Sequence, residues 1–299
     1  MASQQDALFQ LKQELQKNGS FVPDRHDDVT LSRFLRARKF NISETKRLVI
    51  EAEQWRKDFG VEEIVAHFQL KNKQEIQSLY PRYYHGTDNE GRPIYIEHLG
   101  KININTLLEK TTKDDLLKHF VKEYENTIHH RFRKCTEKAG HSINSSCTIL
   151  DVKGVTFTSI FDTKLKAYVS EAASIGQKYY PDSMGKCYII NASRAFQYIW
   201  SWIKPLLNEV TVAKIEVLDK DYVDILKKQI PEENLPKELG GLCECKGLGG
   251  CSVSDRGPWN EDAMRLDTSS LPSNLKSLRQ KISEESFSDC SGGTIAVTA

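Results

Sequence analysis

The sequence predicts an α/β protein: a helical N-terminal region, then a mostly parallel sheet backed by helices. Three observations predict it. Up to about residue 70, apolar side chains recur at helical spacing. From Tyr83 onward, short strand-like runs alternate with longer amphipathic stretches, the pattern of a parallel sheet with helical crossovers. The 299 residues, 39% hydrophobic and 28% charged, suffice to bury a sizeable core in one large domain with a small helical appendage.

Taken in order, Leu8, Leu11 and Leu15 form the apolar stripe of a first helix that Gly19 ends. Leu31, Phe34 and Leu35 repeat the spacing in a second. Ser43 is placed to N-cap a third, with Leu48, Ala52 and Trp55 on its apolar face and its end near Gly60. Tyr83-Tyr84-His85 and Ile94-Tyr95-Ile96 flank Asp88-Asn89-Glu90-Gly91-Arg92, which predicts two strands joined by a glycine-containing turn. A long helix follows over 112–138, with Leu116, Phe120, Tyr124 and Ile128 on one stripe, and Gly140 closes it. Strands are expected at Cys147 to Leu150, Cys187 to Ile190 and Ile215 to Leu218, with helices at 160–177, 194–206 and 222–228. Beyond Asp267 the chain is rich in serine and poor in apolar residues and reads as a mobile tail.

Composition narrows function. With 42 basic and 41 acidic residues the net charge is +1, so the global basic field of a nucleic-acid binder is missing and any attraction to phosphate must be local. The uncharged run from Ala195 to Ile203 is far shorter than the ~20 residues of a spanning helix. The N-terminus has no basic stretch leading into an apolar one, so it is not expected to be a signal peptide. Seven scattered cysteines, an odd number, argue against a disulfide framework and for a reducing, cytosolic setting.

The motifs of an enzyme are missing: no G-x-S-x-G, no H-E-x-x-H and no phosphate-binding Walker loop. Gly247, Gly249 and Gly250 do not stand between a strand and a helix and read as a flexible turn. Cys243, Cys245 and Cys251 lack the spacing of a zinc knuckle, the last histidine in the sequence, His141, lies far upstream, and no metal is expected. His129 and His130 are adjacent on a helix, so their rings diverge.

Three segments stand out in combination: Arg33-Phe-Leu-Arg36-Ala-Arg38-Lys39-Phe40, Pro181-Asp182-Ser183-Met184-Gly185-Lys186 before a strand, and Ile230-Pro231-Glu232-Glu233-Asn234-Leu235-Pro236 followed by Gly240-Gly241. The first, alone, reads as an amphipathic helix with a solvated basic face. In this order they resemble the CRAL-TRIO lipid-transfer family, and within it the fungal-type phosphatidylinositol/phosphatidylcholine transfer proteins of the secretory pathway. The resemblance covers about residues 5 to 260 and implies a helical region over 1–75, a lipid-binding domain over 76–260 and a tail over 261–299.

The resemblance implies a sheet that floors an apolar lipid pocket and a helical gate that closes it. Phe196, Ile199, Trp200, Ile203 and Leu207 would supply the gate's apolar face. The phosphatidylinositol headgroup would fall to Arg38, Lys39, Asp182, Thr211 and Lys214. Cations and donors there take the phosphodiester and a carboxylate takes ring hydroxyls. Thr211 and Lys214, three apart, would share one helical face, and Asp182 stands where such proteins often carry glutamate. The phosphatidylcholine headgroup would fall to Tyr84, Tyr95, Tyr124, Ser146 and Thr148. Tyrosine faces suit a quaternary ammonium, and the two alternating hydroxyls point to one side of the sheet. The implied activity is transfer of single phospholipids without chemistry: the ligand is phospholipid, no cofactor is needed, and the partners are a membrane surface met transiently and phosphatidylinositol kinases, with no nucleic acid. The implied location is the cytoplasm, at Golgi or endosomal membranes. A carrier of a sterol, a tocopherol-like compound or haem on the same fold is the alternative.

Overall fold

The computed structural model describes residues 3–156 and 162–261. The expected tail therefore lies outside the described residues, Glu261 apart, as does the start of the helix expected at Ile160. The N-terminal helices are α1 (Gln4–Lys17), α2 (Asp28–Ala37) and α3 (Ile42–Phe59). Leu11, Leu15, Leu31, Leu35, Leu48, Val49 and Ala52 interlock in one apolar cluster among them. Asn41, not Ser43, caps α3: its side chain accepts from Glu44 N at 3.1 Å. The preceding Lys39 and Phe40 adopt left-handed φ angles of 50° and 62°, a tight turn that ends at Asn41 and leaves Ser43 inside the first helical turn.

After α4 (Val61–His67) and α5 (Lys73–Leu79), strands β1 (Arg82–Thr87) and β2 (Pro93–Glu97) form an antiparallel pair. Strands β3 (Ser146–Asp151), β4 (Met184–Ile190) and β5 (Ile215–Val217) add in parallel, in the order β1-β2-β3-β4-β5. The crossovers are α6 (Ile104–Lys110), α7 (Lys113–Asn126) and α8 (Phe132–Ala139), then α9 (Thr163–Tyr179), then α10 (Arg194–Ile203) with a short α11 (Glu209–Val212). Right-handed crossovers between strands added in sequence put their helices on one side of a sheet. The opposite side is covered by α12 (Val223–Gln229) and the segment beyond it, through Leu226, Ile230, Leu235, Leu239 and the cysteines up to Cys251 in α13 (Cys251–Ser254).

The long helix expected over 112–138 is interrupted. Residues Thr127–Arg131 form a π-helical turn between α7 and α8. One extra residue in a turn rotates all that follows. Here it brings Arg131 over the Tyr84 ring at 4.2 Å and Phe132 and Cys135 into a cluster with Tyr84 and Trp259.

The N-terminal helices dock through charge as well as apolar contact. Trp55 of α3 stacks on Tyr179 at 4.0 Å, and Arg56 Nη1 donates to Glu125 Oε1 at 2.6 Å. Glu125 is buried and also accepts from the Tyr180 hydroxyl at 2.6 Å. Burial alone would raise its pKa, but bonds from His129, Arg56 and Tyr180 outweigh burial and hold it at about 2. A carboxyl depressed on folding contributes stability above its unfolded pKa and loses it as pH falls through the folded value. Stability is therefore expected to drop by about 3 kcal/mol between about pH 4.5 and pH 2 on this account. Urea denaturation at pH 7 and pH 3 checks it: Glu125→Gln should be less stable at pH 7 and flatter with pH, and an unchanged slope would contradict it.

The glycine pair after Pro236 has a steric reason. A Cβ on Gly241 would stand 2.0 Å from the Leu235 carbonyl oxygen, whereas one on Gly247 would meet nothing within 4 Å. Gly241→Ala should cost about 3 kcal/mol by forcing backbone apart, and Gly247→Ala little. Thermal melts of the two variants compare them directly.

Candidate functional site

Register sorts the side chains of the sheet. Tyr84, Tyr95, Thr148 and Cys187 are neighbours across β1, β2, β3 and β4, and so share a face. It is the face toward the crossover helices: Cys187 and Ile189 pack on Val152, Phe196, Ile199 and Trp200. Tyr83, Ile94, Ile96, Cys147, Ile149 and Tyr188 point the other way, into the core under α12.

Among the helices and the loops that follow β2 and β3 is a cavity of about 690 Å³, and no described strand residue lines it, so the expected sheet floor is not its wall. Leu99 and Ile102, Val152 and Val155, Leu165, Val169 and Ala173 of α9, and α10 with its continuation wall it. The size and apolar lining are those of a pocket for a hydrophobic ligand. Phe196, Ile199, Ile203 and Leu207 line it as one stripe, while Tyr198 on the other side of α10 is 63% exposed. Ser193 caps the helix, accepting from Phe196 N, and Lys204–Leu206 forms a 3-10 turn with Pro205. Trp200, the fifth expected gate residue, packs partly buried beside Cys187 and Ile189 and is not in the cavity wall.

The residues expected to take an inositol headgroup gather at the rim, where α2 ends against α11 and the turn before β4. Arg38, the C-cap of α2, lines the cavity. Its guanidinium donates to the Ala37 carbonyl at 3.1 Å and has no ion-pair partner among the described residues. Lys39 instead pairs with Glu209 at 2.7 Å, both well exposed. Asp182 is committed: it accepts from Arg36 Nε and from Lys214 Nζ. Lys214 Nζ also donates to the Met184 carbonyl at 2.8 Å. Asp182 sits at φ 56°, a left-handed position that aspartate tolerates, and this aims it back at α2. Thr211 and Lys214 do not share a helical face, because α11 ends at Val212 and Lys214 N bonds the Thr211 carbonyl as the helix closes. Arg36 is the member that the sequence reading left without a role. It lies 146 residues from its carboxylate partner, a separation no spacing rule bridges.

The residues expected to take a choline headgroup also converge, beside the cavity wall rather than in it. The Tyr84 and Tyr95 rings are 5.1 Å apart. Ser146 Oγ and Thr148 Oγ1 are 3.4 Å apart, both buried, and Ser146 Oγ donates to the Ser183 carbonyl at 3.3 Å. The Tyr124 hydroxyl reaches Ser183, and its ring stacks on Tyr180 at 4.7 Å. A Cβ on Gly176 would stand 3.0 Å from that hydroxyl, so glycine there makes room for the ring's tip. Burial pushes the Tyr84 phenol up to about 12 against the pull of Arg131 and a Thr127 bond, and raises Tyr95 and Tyr124, so all three remain neutral donors. Arg131, which the sequence reading did not single out, covers a face of Tyr84 while paired with Glu123 at 3.1 Å. The three cysteines set aside as non-metal are brought together on the far face of the sheet with His85 of β1. That histidine precedes them by more than 150 residues, a separation no metal-ligand spacing pattern spans.

An α/β domain whose crossover helices, post-strand loops and apolar helix enclose a cavity with a cationic rim defines a carrier of an amphiphile. Comparison with known proteins gives the family. A sequence profile of the CRAL/TRIO domain matches residues 77–241, and one of the CRAL/TRIO N-terminal domain matches residues 6–51. The Sec14 cytosolic factor of Schizosaccharomyces pombe is 45% identical over 261 residues, 87% of this chain and 89% of the relative. The phosphatidylinositol/phosphatidylcholine transfer protein SFH7 of Arabidopsis thaliana is 40% identical over 241 residues, 80% of this chain and 44% of the relative. The crystal structure of Sfh5 superposes with a TM-score of 0.58 over 77% of this chain and 85% of that one, at 17% identity, a likeness of fold. The chain belongs to the CRAL/TRIO family.

Proposed function

We propose that this protein is a phosphatidylinositol/phosphatidylcholine transfer protein that moves single phospholipids between membranes. It is a carrier and not an enzyme: no bond is made or broken, and the ligand is the lipid itself. The observation that carries the reading is the apolar cavity closed by α10, with the guanidinium of Arg38, which has no ion-pair partner among the described residues, at its rim. An apolar wall takes acyl chains, and an unmatched cation beside it takes a phosphodiester. The similarity to the phosphatidylinositol/phosphatidylcholine transfer protein of Arabidopsis thaliana supports the choice of the two lipids.

Two acyl chains exposed to water cost on the order of 20 kcal/mol, at ~0.8 kcal/mol per CH₂. A carrier must therefore exchange its lipid while the chains stay covered. In this reading α10 swings from the cavity to lie on the bilayer with its apolar stripe, one lipid leaves as another enters, and the helix closes. Arg38, Lys39, Thr211 and Lys214 hold the phosphatidylinositol headgroup, and Asp182, at the same site, orients Lys214. Ser146 and Thr148 hold the choline-lipid phosphate, with Tyr84, Tyr95 and Tyr124 around the ammonium. Residues 1–75 form the helical region, 76–260 the lipid-binding domain and 261–299 a tail. Among the described residues no helix is long and apolar enough to cross a membrane, so contact with the bilayer is peripheral. The protein works in the cytoplasm, visits Golgi or endosomal membranes, and presents phosphatidylinositol to lipid kinases.

Organic extraction of the purified protein followed by mass spectrometry tests the ligand class. Phosphatidylinositol and phosphatidylcholine are expected, about one lipid per chain on this account. A sterol, a tocopherol-like compound or haem as the bound species would replace the reading with another carrier on the same fold.

A further inference from the structure

The back of the sheet, opposite the cavity, holds a second site. His85 is the fourth residue of β1 and faces away from the cavity beside Tyr83. Cys243, Cys245 and Cys251 come from the chain that covers that face. The four ligating atoms all lie within 4.8 Å of one another, and all four side chains are buried, His85 with no exposure. The Cys243 and Cys245 sulfurs are 3.5 Å apart. Tetrahedral zinc, with Zn–S of about 2.3 Å, holds its sulfurs about 3.8 Å apart. A central ion thus needs contractions of about 1 Å or less from the four side chains.

Two independent observations point to an ion. The first is His85: Nδ1 lies 3.3 Å from the Ser254 hydroxyl, while Nε2 is buried with no hydrogen-bond partner among the described residues. A buried polar atom left unmatched is costly and uncommon. The second is Arg256, which is 5% exposed and has no carboxylate in ion-pair reach among the described residues. Its Nη1 donates to Cys243 Sγ at 3.0 Å and to the Glu233 carbonyl at 2.9 Å. A buried guanidinium needs an anion. Zinc with three thiolates and a neutral imidazole carries one net negative charge, which matches Arg256.

The backbone is shaped for convergence. Cys245 adopts φ 45°, and Gly249 and Gly250 follow at 80° and 106°. Gly250 N bonds back to the Cys245 carbonyl at 3.1 Å, so the loop doubles on itself and returns Cys251 to its partners. A non-glycine residue in the left-handed region is strained unless its surroundings hold it there. A disulfide would join two of the sulfurs and supply no anion to Arg256.

We infer that His85, Cys243, Cys245 and Cys251 form a structural zinc site that staples the C-terminal covering segment to β1. The ligand set is soft and closed, three thiolates and one imidazole with no open position, so the ion has a holding role and no part in transfer. Binding releases the three thiol protons. Arg256 supports the staple from outside, since its carbonyl accepts from Gly86 N at 2.6 Å on the same strand as His85.

The test is zinc content of the full chain purified under reducing conditions, by plasma mass spectrometry. One zinc per chain is expected in the wild type. Cys245→Ser and His85→Ala should lose it, while Cys135→Ser, whose thiol is buried in a different cluster, should keep it. If the ligand variants do not fold, cobalt exchanged into the wild type decides. Intense visible bands of tetrahedral cobalt with a thiolate charge-transfer band support the site. A folded, reduced wild type that carries no zinc and takes up neither zinc nor cobalt overturns it. So does a disulfide between any two of the three cysteines, or full zinc retention by both ligand variants.

Discussion

Replacing Ser146 and Thr148 together, as Ser146→Ala/Thr148→Val, is expected to lower phosphatidylcholine transfer by about 100-fold and leave phosphatidylinositol transfer nearly unchanged. The magnitude follows from the two hydroxyls. Each is buried, and their contact with one another, at 3.4 Å, is long for a bond between hydroxyls. A hydrogen bond to a charged acceptor is worth about 1.5–3 kcal/mol, so losing two at the low end removes about 3 kcal/mol, or two decades of affinity. Valine keeps the shape of Thr148, which sits in register between Tyr95 and Cys187 in the middle of the sheet. The reciprocal variant, Arg38→Ala with Thr211→Ala, should lower phosphatidylinositol transfer and spare phosphatidylcholine. Vesicle assays with each lipid labelled separately read both. Equal loss of the two activities in folded protein would contradict separate headgroup sites.

The second large effect is expected from filling the cavity. Ala173 of α9 lines it opposite the stripe of α10. Ala173→Trp places an indole where the acyl chains would run and should reduce transfer of both lipids to the level of a protein-free blank. Because the side chain enters the ligand cavity, the variant should still fold and melt cooperatively, unlike an insertion into a packed core. Loss of one lipid alone would mean that the chains do not share a cavity. Full transfer of both would mean that the lipid sits elsewhere.

What sequence could show and what it could not divide along a physical line. Strand runs such as Cys147 to Leu150 and Cys187 to Ile190, and the apolar stripe of α10, are local periodicities; β3 falls within one residue of its pattern, while β4 starts three residues earlier, at Met184, where the polar and glycine residues hide the strand. Ser146 and Thr148 were legible as a same-face pair because alternation in a strand is strict. The cap of α3 was misplaced by two residues, since Asn41 and Ser43 are both good caps and the choice lay in the left-handed turn before them. The π turn at Thr127–Arg131 left no trace in the spacing of Leu116, Phe120, Tyr124 and Ile128, because it begins as that stripe ends.

The site was half legible for the same reason. Residue types and the family pattern pointed to Arg38 and Asp182, but not to the facts that Arg38 has no ion-pair partner among the described residues while Asp182 is held by Arg36 and Lys214. Those are long-range pairings, set by how α2 meets the turn before β4. His85 and the three cysteines are the extreme case. A scan for metal spacing stays within a short window, and only the antiparallel start of the sheet brings β1 under the C-terminal loop.

The central claim is that one cavity serves two phospholipids with different headgroup sites. The most direct measurement is transfer of labelled phosphatidylcholine from donor to acceptor vesicles by the purified protein, with unlabelled phosphatidylinositol titrated into the donors. The account predicts that the protein transfers phosphatidylcholine alone, transfers phosphatidylinositol when that is the labelled lipid, and that each lipid suppresses transfer of the other by competition. No transfer by folded protein, or transfer of both without mutual suppression, would contradict it.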